Sequence, residues 1–181
     1  AGLGTVGIGV VKIIQKHADM LAKRAGRPVA LTAISDRDRM KNRDVDLSGY
    51  TWETDARALA VRDDIDVFVE LIGGDEGIAR EAVTAALKAG KDVVTANKAL
   101  LAIHGQELAE LAEENGCVIR FEAAVAGGIP VIKAMTESLA GNEIRRVMGV
   151  MNGTCNYILT RMENAGLPYE TVFEEARQLG Y

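Results

Sequence analysis

The chain has 181 residues, 48% hydrophobic and 26% charged, with a formal net charge of -5. That length supports one globular domain or slightly more, with a real core, and the composition excludes a disordered chain. Acidic and basic side chains are interspersed, which argues against a nucleic-acid surface, and no apolar run approaches the length of a membrane span. The two cysteines, Cys117 and Cys155, have no C-x-x-C spacing, and with only His17 and His104 no zinc-type cluster is spelled out. Isolated thiols and the lack of a signal-peptide pattern point to a reducing, cytoplasmic compartment.

In chain order, Gly2-Leu3-Gly4-Thr5-Val6-Gly7 comes first, with the spacing G-x-G-x-x-G. Gly2 permits a tight strand-to-helix turn. Gly4 removes a side chain where backbone N–H groups would approach a pyrophosphate, and Gly7 lets the helix pack closely on a sheet. Alone, the pattern is equally a glycine-rich turn before any helix. The strand that should feed it is missing, so the 181 residues are expected to come from a longer polypeptide, and to aggregate or be inactive alone.

Apolar residues at helical spacing predict one helix over residues 5–24, with His17 structural on its apolar face. A buried strand is predicted over 29–35 (VALTAIS), then an irregular polar stretch over 37–50. Further strands are expected over 67–72, 92–96 and 117–121, with a helix over 78–90 and another ending near Gly116. His104 reads as a helix-start residue. Strands that are apolar at consecutive positions and alternate with helices indicate an α/β fold, a Rossmann-type doubly wound parallel sheet. The dinucleotide-binding domain is placed at 1–127. Residues 128–181 read as the beginning of an α+β substrate and dimerisation domain. It has a helix over 129–139, an alternating strand over 144–151, a turn with Thr154 as N-cap, and a helix over 168–179.

Several positions suit chemistry. Asp36 ends the second strand, where an acid binds ribose hydroxyls and favours NAD. Arg37 and Arg39 beside it suit a 2′-phosphate and NADP, and the plain alternative is a solvated charged loop. Lys98 follows a strand directly and offers a cation to a carbonyl or anionic substrate, or else is a surface lysine opening a helix. In 122–129 (EAAVAGGI), an extended strand would set the carbonyls of Val125, Gly127 and Ile129 to one side beside Glu122, a hard-oxygen site for a cation of low charge. Spacing alone favours tight packing at a domain junction. The Asn152-Gly153-Thr154-Cys155-Asn156 turn suits either a polar substrate site or a helix cap, and Cys155 has no histidine near it in sequence to make it a nucleophile.

Together these segments resemble homoserine dehydrogenases. The resemblance runs over nearly the whole chain: GLGTVG at 2–7, VELIGG at 69–74, VTANKALLA at 94–102, FEAAVAGGIPVIKA at 121–134, GVMNGTCNYILTRM at 149–162 and EARQLGY at 175–181. It implies NAD(P)-linked interconversion of L-homoserine and L-aspartate 4-semialdehyde, a step toward threonine, methionine and isoleucine, with a small-molecule substrate and a homodimer. It implies that Thr5 and Val6 lie at the cofactor with Gly73 and Gly74 near its adenosine half, and that Thr95 and Lys98 border nicotinamide and substrate. Gly180 would touch the nicotinamide, while Gly153, Thr154 and Tyr181 would meet the amino acid. Glu122, Val125, Gly127 and Ile129 match a monovalent cation site, for Na+ or K+. The lysine that such enzymes use as proton donor is expected beyond Tyr181. The alternatives are another nicotinamide-dependent reductase of an amino-acid pathway and a non-catalytic nucleotide-binding module.

Overall fold

The computed structural model describes residues 1–150 and 152–179. The chain divides into two compact units, Ala1–Thr136 and Glu137–Tyr181.

The first unit is α/β with parallel strands. β1 (Ala33–Ser35) pairs with β2 (Thr51–Glu53), and β3 (Val67–Glu70) pairs with β4 (Asp92–Thr95), which pairs with β5 (Ile119–Arg120). The two strand groups are bridged at their carboxyl ends by the first two residues. The Ala1 amine donates to Val69 O at 2.7 Å, Leu71 N to Ala1 O at 2.9 Å, and Gly2 N to Ser35 O at 2.8 Å. Below this bridge lies a cavity of about 550 Å³ between residues 29–34 and 66–69, floored by Val10, Val11 and Ile14 of the first helix.

The main core sits where α4 (Ile78–Lys88) and α5 (Lys98–Glu114) cover β3 and β4. Ala79, Ala82, Val83, Ala86 and Leu87 of α4, Leu100 and Leu108 of α5, and Phe68 and Val93 of the strands are fully buried or nearly so. The small alanine face of α4 lets the helix sit close on the strands, and each deeply buried Leu or Phe contributes about 1.5–3 kcal/mol. The short α3 (Ala56–Ala60) joins this core through Leu59 and Ala60. Its N-cap Asp55 accepts from Arg57 N.

Several expectations are corrected. The helix over 5–24 is two helices, α1 (Thr5–Lys16) and α2 (Ala18–Ala25), because His17 adopts φ -117° and ψ 23° and breaks the ladder. The strand over 29–35 forms only at Ala33–Ser35, the part that pairs in register with β2. His104 lies inside α5 rather than at its start, and meets Glu76 at 2.8 Å. The helix over 129–139 is α6 (Val131–Lys133) running into a π-turn at Ala134–Ser138.

The second unit is a helical hairpin of α7 (Gly153–Ala165) and α8 (Tyr169–Gln178), closed on Ile158, Val172 and Ala176. The alternation over 144–150 forms no strand, and Val147, Met148 and Val150 are exposed; Met151 lies outside the described residues. A period-two pattern becomes a strand only when a neighbouring edge takes its hydrogen bonds. The cap of α7 is Asn152, whose side chain accepts from Cys155 N at 2.8 Å, rather than Thr154, which lies within the helix.

Candidate functional site

The glycine turn closes as its spacing requires. Gly2 has φ +86°, and a Cβ there would lie 2.4 Å from Leu71 O. A Cβ on Gly7 would lie 1.9 Å from Gly2 O, whereas one on Gly4 would meet nothing within 4 Å. Gly2 and Gly7 are therefore held by close packing, while Gly4 leaves open space at the start of α1. Gly4 is also the N-cap of α1 and makes no side-chain capping bond, and no acid lies in the first turn. Thr5 and Val6 are exposed there. A helix start with unpaired N–H groups, partial positive charge and no Cβ in front of it suits a pyrophosphate.

That turn opens onto a cleft of about 710 Å³ at the carboxyl ends of β1 and β3, where Gly2, Gly4, Asp36, Arg37 and Gly73 come together. Asp36 follows β1. Its Oδ2 accepts from Leu3 N at 2.6 Å, and its Oδ1 accepts from Asp38 N at 3.2 Å and lies 2.9 Å from Arg43 Nη2. Partial burial opposes its ionisation, but the Leu3 and Asp38 N–H groups, then the Arg43 charge and the Arg37 N–H, hold its pKa below the usual carboxylate value. Arg43 is a residue that the sequence reading missed. It is buried, donates from Nε to Leu3 O at 3.2 Å and from Nη1 to Lys41 O at 2.9 Å, and lies 5.7 Å from the Trp52 ring centre.

A second missed residue is Glu70, at the end of β3 and fully buried. Its Oε1 accepts from Ile72 N at 2.7 Å and Gly73 N at 3.0 Å, and its Oε2 accepts from the Thr95 hydroxyl at 2.5 Å. The same hydroxyl accepts from Asn97 N at 2.9 Å, and Asn97 Nδ2 donates to Gly74 O at 2.6 Å. One network thus ties the Gly73-Gly74 turn after β3 to the loop after β4. Gly73 and Gly74 both have φ near +86°. The hydroxyl of Thr95 is committed inside this network and the residue is buried. Asn97 caps α5 by accepting from Leu100 N, which fixes exposed Lys98 as the first residue of that helix.

The Glu122 segment departs from the expected extended strand. Glu122–Ala124 is a 3-10 turn, followed by positive φ at Ala126 (49°) and Gly128 (85°), so the chain curls instead of alternating its carbonyls. The Glu122 carboxylate accepts from Ile132 N at 3.2 Å and Lys133 N at 2.9 Å, and Ile129 O accepts from Val131 N. Val125 and Gly127 lie on the same curl. Among the described residues no three His, Cys, Asp or Glu side chains converge as metal ligands, and no helix is long and apolar enough to cross a membrane. Gly153 and Thr154 lie in the first turn of α7, in the second unit. Gly180 and Tyr181 lie outside the described residues.

Residues 2–122 match the family model described as homoserine dehydrogenase, NAD binding domain, and residues 130–181 match the model described as homoserine dehydrogenase. The chain belongs to the homoserine dehydrogenase family. It is 47% identical over 180 residues to the homoserine dehydrogenase of Bacillus subtilis (strain 168), covering 99% of this chain and 41% of that protein. A solved homoserine dehydrogenase from Thiobacillus denitrificans superposes with a TM-score of 0.88 at 42% identity, over 99% of this chain and 41% of that one. A hyperthermophilic archaeal homoserine dehydrogenase in complex with NADPH superposes with a TM-score of 0.80 at 28% identity, over 99% and 59%. The chain thus spans about two fifths of the length of the Bacillus relative. The two homoserine dehydrogenase matches leave 123–129 between them, while the structural units divide after Thr136.

Proposed function

We propose that the intact protein interconverts L-homoserine and L-aspartate 4-semialdehyde with NAD or NADP. The observation that carries this reading is the cleft of Gly2, Gly4, Asp36 and Gly73 at the strand ends, in a chain whose residues 2–122 match a homoserine dehydrogenase NAD-binding domain. The space left by Gly4 and the uncapped start of α1 fit a dinucleotide pyrophosphate, and the NADPH complex of the archaeal relative supports the same assignment. When bound, the nicotinamide supplies or accepts the hydride.

This chain's residues bind and orient. Thr5 and Val6 offer main-chain N–H groups to the pyrophosphate, and Gly73 and Gly74 form the wall beside the adenosine half. Thr95 shapes the nicotinamide end through its place in the Glu70 network. Lys98 meets the substrate oxygen and stabilises negative charge developing there, an electrostatic role suited to a fixed cation at a helix start near strand ends. By the likeness to homoserine dehydrogenases, Gly153, Thr154 and Tyr181 are assigned to the amino acid and Gly180 to the nicotinamide. Glu122, Val125, Gly127 and Ile129 supply oxygens to a monovalent cation. The curl replaces the extended strand that would have aligned these carbonyls, so the support for this set is the likeness of the segment to homoserine dehydrogenases. The protein works as a cytoplasmic homodimer.

The test is aldehyde-dependent oxidation of NADPH or NADH by the intact protein and by Lys98→Ala. A fall in kcat/KM of about a hundredfold to a thousandfold in the variant supports the reading. An intact protein that binds the coenzyme and leaves the aldehyde untouched sinks it.

A further inference from the structure

Asn97 stands at the joint between two parts of the site, and its buried amide bonds in both directions. Oδ1 accepts from Leu100 N at 3.1 Å and caps α5, the helix that Lys98 begins. Nδ2 donates to Gly74 O at 2.6 Å and holds the turn after β3. A ring of hydrogen bonds closes behind it. Asn97 N donates to the Thr95 hydroxyl, that hydroxyl donates to Glu70 Oε2, and Glu70 Oε1 accepts from Gly73 N.

The turn needs such a restraint. Gly73 and Gly74 adopt φ +87° and +86° in succession, and a Cβ on either would meet nothing within 4 Å, so close packing does not hold them. Glycine enters that backbone conformation easily and leaves it as easily. Further along, Glu76 meets His104 of α5 at 2.8 Å, and Arg80 meets Glu76 at 3.1 Å and Glu107 at 3.0 Å. Glu76 is 61% exposed, and solvated pairs of this kind hold weakly. The planar amide of Asn97 is the buried connection. A displacement of Gly74 O acts on the same rigid group that meets Leu100 N.

We propose that Asn97 is a positioning residue that couples the coenzyme wall to the substrate cation. A coenzyme seated against Gly73-Gly74 fixes the turn, and the Asn97 amide passes that constraint to the first turn of α5 and so to Lys98. Glu70 and Thr95 hold the backbone end of the amide in place. The inference deepens the proposed function and rests on its assignment of Gly73, Gly74 and Lys98. The two bonds of the amide can be separated chemically. Serine caps a helix as well as asparagine does but is too short to reach Gly74 O. Gly74 is exposed, so water takes the freed carbonyl in Asn97→Ser.

Amide hydrogen exchange of the intact protein with and without saturating NADPH tests the coupling, followed by kinetics with homoserine and NADP. NADPH slows exchange at Gly73 and Gly74, and also at Leu100 and Leu101 of α5, by about tenfold or more. In Asn97→Ser the slowing at Gly73 and Gly74 persists, and at Leu100 and Leu101 it shrinks to within about twofold. Direct shielding of α5 by the coenzyme would survive the substitution. The same variant lowers kcat about tenfold to a hundredfold, the cost of a misplaced group. In a Lys98→Ala background it changes kcat/KM by less than about twofold, because the two residues act as a unit. A side chain that only stabilises α5 lowers both backgrounds by the same factor. Asn97→Asp, which also caps and also lacks the donor, replaces the serine variant if that one does not fold.

Unchanged exchange at Leu100 and Leu101 when Gly73 and Gly74 are slowed, full slowing in Asn97→Ser, or equal losses in both backgrounds overturn the proposal. No slowing at any of the four amides overturns the dinucleotide reading beneath it. A protein with coupled exchange that fails to turn over homoserine refutes only the activity. One that turns over homoserine with full kcat in Asn97→Ser refutes only this inference.

Discussion

The Thr95 hydroxyl donates to the Glu70 carboxylate at 2.5 Å while accepting from Asn97 N at 2.9 Å. Two strands and two loops are thereby fastened through one proton. The carboxylate also takes two main-chain N–H bonds from Ile72 and Gly73. Replacing Glu70 with Gln sets an amide donor against either the Thr95 hydroxyl or the Ile72 and Gly73 N–H groups, in a fully buried site. Glu70→Gln and Thr95→Val should each cost about 1–3 kcal/mol in urea unfolding. Because both break one network, the double variant should cost at least about 1 kcal/mol less than the sum. Strict additivity would show that the two side chains act separately.

The three glycines of the opening turn should respond differently. Gly2→Ala meets Leu71 O in a left-handed backbone conformation and should cost at least about 2 kcal/mol. Gly4→Ala has open space around it and should cost less than about 1 kcal/mol. It should nonetheless weaken coenzyme binding about tenfold or more, because the methyl group occupies the pyrophosphate approach. Chemical denaturation paired with coenzyme titration measures both. A Gly4→Ala protein with full coenzyme affinity would mean that the pyrophosphate lies elsewhere.

The strands and helices that flank the cleft were legible for physical reasons. Residues of β3 and β4 are apolar at consecutive positions and stop at Gly73-Gly74 and at Asn97, and α4 carries a small apolar face ending before Gly90. Local pattern and long-range packing agree there. They diverge elsewhere. β2 and α3 are three and five residues long and too short for a periodicity to register. Arg43 reads as one more charge in a polar stretch, and its contacts with Asp36, with Trp52 and, forty residues away, with Leu3 emerge only in the fold. Glu70 falls inside the strand expected over 67–72, and its role emerges only when Thr95, twenty-five residues on, is placed beside it. Asn152 and Thr154 are both good caps, and the two-residue difference is settled by which backbone leaves the helix.

The same competition gives a simple test in the second unit. Asn152→Ala should cost about 1 kcal/mol, since the Cys155 N–H loses its acceptor, and Thr154→Ala should cost less than about 0.5 kcal/mol. Thermal unfolding of the intact protein distinguishes them. A larger loss for Thr154 would move the start of α7.

The measurement that bears most directly on the proposed activity is the initial rate of NADP reduction by the intact protein with L-homoserine, set against L-serine and L-threonine at equal concentration. We expect saturable reduction with homoserine, at least about a hundredfold higher in kcat/KM than with either analogue, and its loss in Lys98→Ala. Coenzyme binding with no homoserine-dependent reduction, or equal rates with all three, would contradict it.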